Sequence, residues 1–254
     1  MTYLYPTQKQ HELITLIYRF RFLNRIQLQA LLHHKDKRRI NAWLKELTEN
    51  KYLGRIYSIK LLENTKPAIY YLSHAGILYV RDRGIATEHQ LKKYYEDNNR
   101  SQKFIDHSLL LGTVYLQLLQ GQKKGDDVQF LTRVEFGESE ALQEIHPSAY
   151  YAKRKTKHYF VELFDAGMPR YAIRGRIRQY IQFYWSASWE QETKAKFPTV
   201  LLISSTEQIQ RFLWKFISAT CEEEGEMENL VFSLTTKTLL ETQGMYGKIW
   251  RTIK

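Results

Sequence analysis

The spacing of apolar residues changes once near residue 50, from a helical period to short extended runs, and that change limits what the N-terminal third can fold into. Thr7 can cap a helix running to about Phe22, because Leu13, Ile14, Leu16, Ile17 and Phe20 recur three and four residues apart. Asn24 caps a second helix, Arg25 to about His33, with Ile26, Leu28, Ala30, Leu31 and Leu32 expected on its buried side. Asp36 caps a third, to about Asn50, whose inward residues are Ile40, Trp43, Leu44 and Leu47. Lys37, Arg38, Asn41 and Lys45 then fall on its other side. Leu53 to Ser58 and Ala68 to Leu72 are β-branched or aromatic runs, joined by a polar segment with Asn64, Lys66 and Pro67, and they predict a hairpin. Ser73 opens a further helix, His74 to Arg83.

Three short helices, a hairpin and another helix follow the order of a winged helix-turn-helix, expected over residues 1–85. In that architecture the third helix enters the major groove of a DNA duplex and the hairpin loop carries Lys60 and Lys66 towards the backbone. Arg38, Arg39, Asn41 and Lys45 are the predicted contacts, with Lys37 beside them. Arg and Asn suit the edges of guanine and adenine, whereas lysines more often neutralise phosphate. Winged helices also dock proteins, but charge favours nucleic acid. Residues 1–85 hold 15 Lys/Arg against 6 Asp/Glu, while the rest of the chain holds 23 against 21, so most of the net charge of +11 lies in the first third. The adjacent His33 and His34 would diverge on a helix and are read as surface or turn residues.

Residues 86–103 are polar and read as a connector, with a second domain expected over 104–254. Phe104 to Leu119 should be its buried helix, with His107 a structural histidine. Strands are expected at Val128 to Phe136, Glu144 to Tyr151, Lys157 to Phe164 and Thr199 to Ser204, with short pieces at Leu230 to Leu234 and Lys248 to Ile253. Helices are expected from about Pro169 to Trp185, carrying Arg170, Arg174, Arg176 and Arg178, and from Thr206 to Thr220. The fold class is therefore α+β, with a mixed sheet flanked by helices. Apolar residues at 43% and charged residues at 26% suit a packed core, and no apolar run approaches the roughly 20 residues of a bilayer span. A cytoplasmic protein without a signal segment is the expectation, and the lone Cys221 cannot form an internal disulfide.

The segments RFRFLNRIQLQALL, RRINAWLKELTENKYLGRIY, IYYLSHAG, IDHSLLLGTVYLQL, IHPSAYY, HYFVELFDAG and IRQYIQFY, in that order, resemble the replication-relaxation family of plasmids and mobile elements. The resemblance implies a winged helix fused to a domain similar to the PD-(D/E)xK nucleases, and a role in plasmid replication, DNA relaxation or conjugative mobilisation. Active nucleases of that fold hold a divalent cation between carboxylates and use a lysine beside the attacking water. Here Ser148 follows Pro147 where the pattern has aspartate, and Phe164 stands where it has lysine. Glu162 matches the motif glutamate and Asp165 the second acid, but a spacing of three puts them on opposite faces of a regular strand. Glu135 and Glu144 are the remaining acids that could supply a ligand. The nuclease-like domain is thus expected to be inactive and to need no cofactor, with Mg²⁺ relevant only to the alternative of a metal-dependent nickase or nuclease. No His-x-His pair exists for a histidine-metal relaxase, and eighteen tyrosines leave no single one assignable as a nucleophile. The expected partners are double-stranded DNA, a second copy in a homodimer, and replication or transfer proteins. A transcriptional regulator is the other alternative.

Overall fold

A computed structural model describes residues 5–57, 66–123, 126–225 and 227–253. The chain divides into two compact units, Met1–Leu116 and Gln117–Lys254.

The first unit opens with α1 (Gln8–Phe20), β1 (Leu23–Asn24), α2 (Arg25–Leu31) and α3 (Lys37–Glu49). Each helix starts where a polar side chain can accept from an otherwise unpaired backbone N–H: Thr7 from Gln10, Asn24 from Gln27 and Asp36 from Arg38. Strands β2 (Leu53–Ile56) and β3 (Ile69–Leu72) pair antiparallel, β1 adds to the free side of β3, and α4 (His74–Asp82) follows. This order is compatible with a winged helix. Leu13, Ile14, Ile17, Leu28, Ile40 and Leu44 are fully buried at its centre, each contributing about 1.5–3 kcal/mol of transfer free energy.

Two expectations for this unit require correction. Ile26 is 54% exposed, while Gln27, one position on, is buried. The carboxamide of Gln27 donates to Leu109 O at 2.7 Å and to Thr113 Oγ1 at 3.1 Å, so hydrogen bonding compensates its burial. Residues 86–103 do not stand apart as a connector. They form α5 (Glu88–Leu91) and a 3₁₀ segment, Lys92–Asn99, that pack within the first unit. Leu91, Tyr94 and Asp97 are the buried anchors in this polar stretch. Tyr94 OH donates to Tyr18 O at 2.7 Å, and Asp97 accepts from Arg21 and Arg100. The division instead falls late in the next helix, α6 (Gln102–Gln120), most of which belongs to the first unit.

The second unit is built on a six-stranded mixed sheet in sequential order: β4 (Val128–Thr132), β5 (Ala149–Lys153), β6 (Lys157–Phe164), β7 (Thr199–Ser204), β8 (Phe232–Thr236) and β9 (Arg251–Ile253). β4–β5–β6 and β8–β9 pair antiparallel, whereas β6–β7–β8 run parallel. The parallel connections are made by α8 (Arg170–Ser186) with α9 (Ser188–Thr193), and by α10 (Glu207–Glu224). α11 (Lys237–Gln243) joins β8 to β9. Phe160, Phe164, Val200, Leu202 and Leu234 from the sheet meet Ile173, Ile177, Tyr180, Leu213 and Ile217 from α8 and α10 in one core.

The strand expected over Glu144 to Tyr151 begins only at Ala149, and the strand expected to reach Phe136 stops at Thr132. Before β5 the chain forms α7 (Glu140–Ile145), because Ser139 caps it and Ala141, Leu142 and Ile145 bury one face at helical spacing. His146 ends that helix in the left-handed region, φ 47°. β4 stops because the N–H and hydroxyl of Thr132 both turn to Glu135, 2.9 and 3.0 Å away, closing a short 3₁₀ turn. No helix among the described residues is long and apolar enough to cross a membrane.

Candidate nucleic-acid interface and the Glu162 site

α3 turns Ile40, Leu44 and Leu47 inward, leaving at most 2% of each exposed. Lys37, Arg38, Arg39, Asn41 and Lys45 are all exposed along its other side. Asp36 Oδ1 accepts from Arg38 N at 2.8 Å and so fixes where the basic turn begins. The Arg39 guanidinium lies over Trp43, 5.7 Å from the ring centroid, and Trp43 meets the His34 ring edge-on at 5.1 Å. Lys45 stands 3.7 Å from Glu49 in a solvent-exposed pair, which exchanges readily with water or phosphate. Among the described residues, neither Lys37 nor Arg38 has a carboxylate partner. Lys66 is exposed where β3 is approached, and Lys60 lies outside the described residues. Sequence reasoning missed Arg55 and Tyr57 on the hairpin. The Arg55 guanidinium lies 4.5 Å from the Tyr57 ring, which is 55% exposed, and the i, i+2 spacing of a strand was the available signal.

In the second unit the structure brings Ser148 and Glu162 together. Ala149 pairs with Val161 across β5 and β6, so the preceding Ser148 falls opposite Glu162. Ser148 donates to Glu162 twice, from its backbone N to Oε1 and from its hydroxyl to Oε2, both at 3.3 Å. From α8, Arg176 Nε donates to Glu162 Oε1 at 3.1 Å, its terminal Nη2 forms a second, shorter contact there, and Tyr180 OH donates at 2.9 Å. Arg176 also donates to His146 O at 3.0 Å and lies over the Tyr180 ring, 4.7 Å from its centroid. Burial would lower the guanidinium's pKa, but the Glu162 carboxylate and the Tyr180 hydroxyl outweigh it, and the net shift is upward. Burial beside Glu162 raises the Tyr180 phenol well above its ordinary value, so it stays protonated as a donor.

This arrangement holds a carboxylate in place rather than presenting it to a cation. Glu162 Oε1 already faces four donor contacts, and Oε2 accepts from the neutral Ser148 hydroxyl. Phe164, at the position where the resemblance leads one to expect lysine, lies in the apolar core. Asp165 stands just past the end of β6, in a turn closed by Met168 N donating to its carbonyl at 3.0 Å. Glu135 caps its own turn, and Glu144 is exposed on α7 beside a cavity of about 520 Å³ that Arg176 and Gln179 also line. Among the described residues, no group of three or more His, Cys, Asp or Glu side chains is gathered to hold a metal ion. Arg176 and Tyr180, the partners that give Glu162 its character, were expected on this helix but not linked to Glu162. Their i, i+4 spacing on a helix was visible, but the target was not.

A family model described as replication-relaxation matches residues 14–200, about three quarters of the chain. No curated protein and no solved structure gives a match.

Proposed function

Because the chain belongs to the replication-relaxation family, we propose that it is a DNA-binding protein acting in the replication, relaxation or mobilisation of a plasmid or other mobile element. Its first unit is a winged helix that grips duplex DNA, with α3 in the major groove and the β2–β3 loop on the flanking backbone. The observation that carries this reading is the exposed row of Lys37, Arg38, Arg39, Asn41 and Lys45 on a helix whose opposite face is locked into a core. Lys60 and Lys66 are assigned to backbone contact. The second unit is a PD-(D/E)xK-like domain in which Arg176 and Ser148 satisfy the surviving Glu162, and it does not cut DNA.

Electrophoretic shift of duplex fragments tests the binding assignment. Affinity should fall steeply between 50 and 200 mM salt, as counterion release requires, and mobility unaffected by the protein at low salt would refute the reading. Supercoiled plasmid incubated with Mg²⁺ or Mn²⁺ tests the second unit. It should stay intact, and nicking that Glu162→Gln abolishes would show that the carboxylate is catalytic.

A further inference from the structure

Helix α8 runs from Arg170 to Ser186 without an acidic residue, and its solvent side has no use in the arrangement around Glu162. Taking 100° per residue, Tyr171, Arg174, Arg178, Gln182 and Trp185 fall within about 80° of one another on one stripe, on the solvent side away from the buried Ile173, Ile177 and Tyr180. All five are exposed, Tyr171 at 73% and Trp185 at 53%. The stripe is about 21 Å long, fourteen steps of about 1.5 Å from Tyr171 to Trp185. Beside it, four residues after Tyr171, stands Gly175, where an added Cβ would meet nothing within 4 Å, so the surface next to the Tyr171 end is open.

The neighbouring helix continues the same chemistry. Arg170 lies over Phe212 of α10, 4.3 Å from the ring centroid, and Arg178 over Phe216 at 5.8 Å, while Lys215 on the same helix is exposed. Among the described residues, Arg170, Arg174 and Arg178 have no carboxylate partner, in contrast to Arg176, whose charge Glu162 takes up. Cations without counter-ions interleaved with exposed rings ask for a ligand that offers negative charge and flat π-faces in alternation. Single-stranded nucleic acid does so. A duplex offers the phosphates, but its bases are stacked on one another and closed to Tyr171 and Trp185.

We propose that this α8–α10 face is a second nucleic-acid site, which binds single-stranded DNA, with Arg174 and Arg178 on phosphates and Tyr171 and Trp185 stacking on bases. It would place a strand-binding surface and a duplex-binding surface on one chain. The site stands on different residues from α3, so either can fail without the other.

The test uses the full chain and a fluorescently labelled single-stranded oligonucleotide of mixed sequence, read by anisotropy, with an unlabelled duplex as a parallel probe. Tyr171→Ala with Trp185→Ala should weaken single-strand binding by about tenfold or more, as the loss of stacking requires. Arg174→Ala with Arg178→Ala should weaken it similarly and lower its salt dependence. Both pairs should leave the duplex shift and the thermal midpoint unchanged, because every altered side chain is exposed. Single-strand affinity that ignores the aromatic pair would overturn the proposal. Equal losses for strand and duplex in both pairs would overturn it too, since the face would then be part of a general DNA surface.

Discussion

Arginine has opposite fates on α3 and beside Glu162. On α3, Arg38 and Arg39 stand in solvent above a helix anchored by Ile40 and Leu44, and their charge is available to a ligand. In the second unit Arg176 is drawn between α8 and the sheet, where Glu162, Tyr180 and His146 O take up its donors. The difference shows that a count of basic residues says nothing about binding until each charge is assigned a partner. It also gives Glu162 an internal cation as its partner, held on the same side of the sheet by α8.

The sharpest way to break this contrast is to remove charges from each side. Arg38→Ala, Arg39→Ala and Lys45→Ala together should cost about a hundredfold in duplex affinity, since each lost edge or phosphate contact is worth roughly 1 kcal/mol or more. Urea unfolding of that variant should match the parent. Glu162→Ala should do the reverse: duplex binding persists, while stability falls by about 3 kcal/mol because Arg176 is left enclosed without its carboxylate. A triple variant that unfolds early, or a Glu162 variant of parental stability, would erase the distinction.

A pH titration sharpens it further through Asp126, whose side chain is enclosed by Lys153 and Arg154 at 2.9 and 2.7 Å. The hydrogen bond from Lys153 leads in lowering its pKa from 3.8 to about 2, with Arg154 adding to it against the opposing effect of burial. The folded carboxyl is the stronger acid, so its stabilisation is complete above about pH 4 and disappears as pH falls towards 2. Asp126→Asn should therefore flatten the pH dependence of stability in that window, and an unaltered acid limb would contradict the assignment. The smallest effect is expected at Lys66. Lys66→Ala should weaken duplex binding by roughly two- to threefold, equally for all sequences, and reduce the salt slope by about 1. A change in sequence preference instead would move Lys66 from the backbone to a base.

Features set by neighbours in sequence were the ones legible from it. The caps at Thr7, Asn24 and Asp36, the exposed face of α3 and the mixed sheet follow from spacing and short-range hydrogen bonds. Features set by distant partners were not. Ile26 looked like the buried member of α2, but the carbonyl of Leu109, 82 residues away from Gln27, rewards turning the glutamine inward. The polar stretch 86–103 hid Leu91, Tyr94 and Asp97, of which Tyr94 reaches Tyr18 on α1 and Asp97 reaches Arg21 just beyond it. Residues 144–148 adjoin the strand-like Ala149 to Tyr151, yet the Ser139 cap and the buried Ala141 and Leu142 start a helix that runs to Ile145. That Ser148 and Phe164 are not acid and lysine could be read directly, whereas the Arg176–Tyr180 clamp on Glu162 required the packing of α8 on β6.

The central claim is that α3 is the surface which meets duplex DNA. Backbone and arginine side-chain NMR of the full chain, titrated with a short duplex at low salt, observes that surface directly. The account predicts the largest shift changes at Lys37 to Lys45, with a second group around Lys66, all reversed by added salt. Changes that leave Lys37 to Lys45 untouched while saturating elsewhere would contradict it.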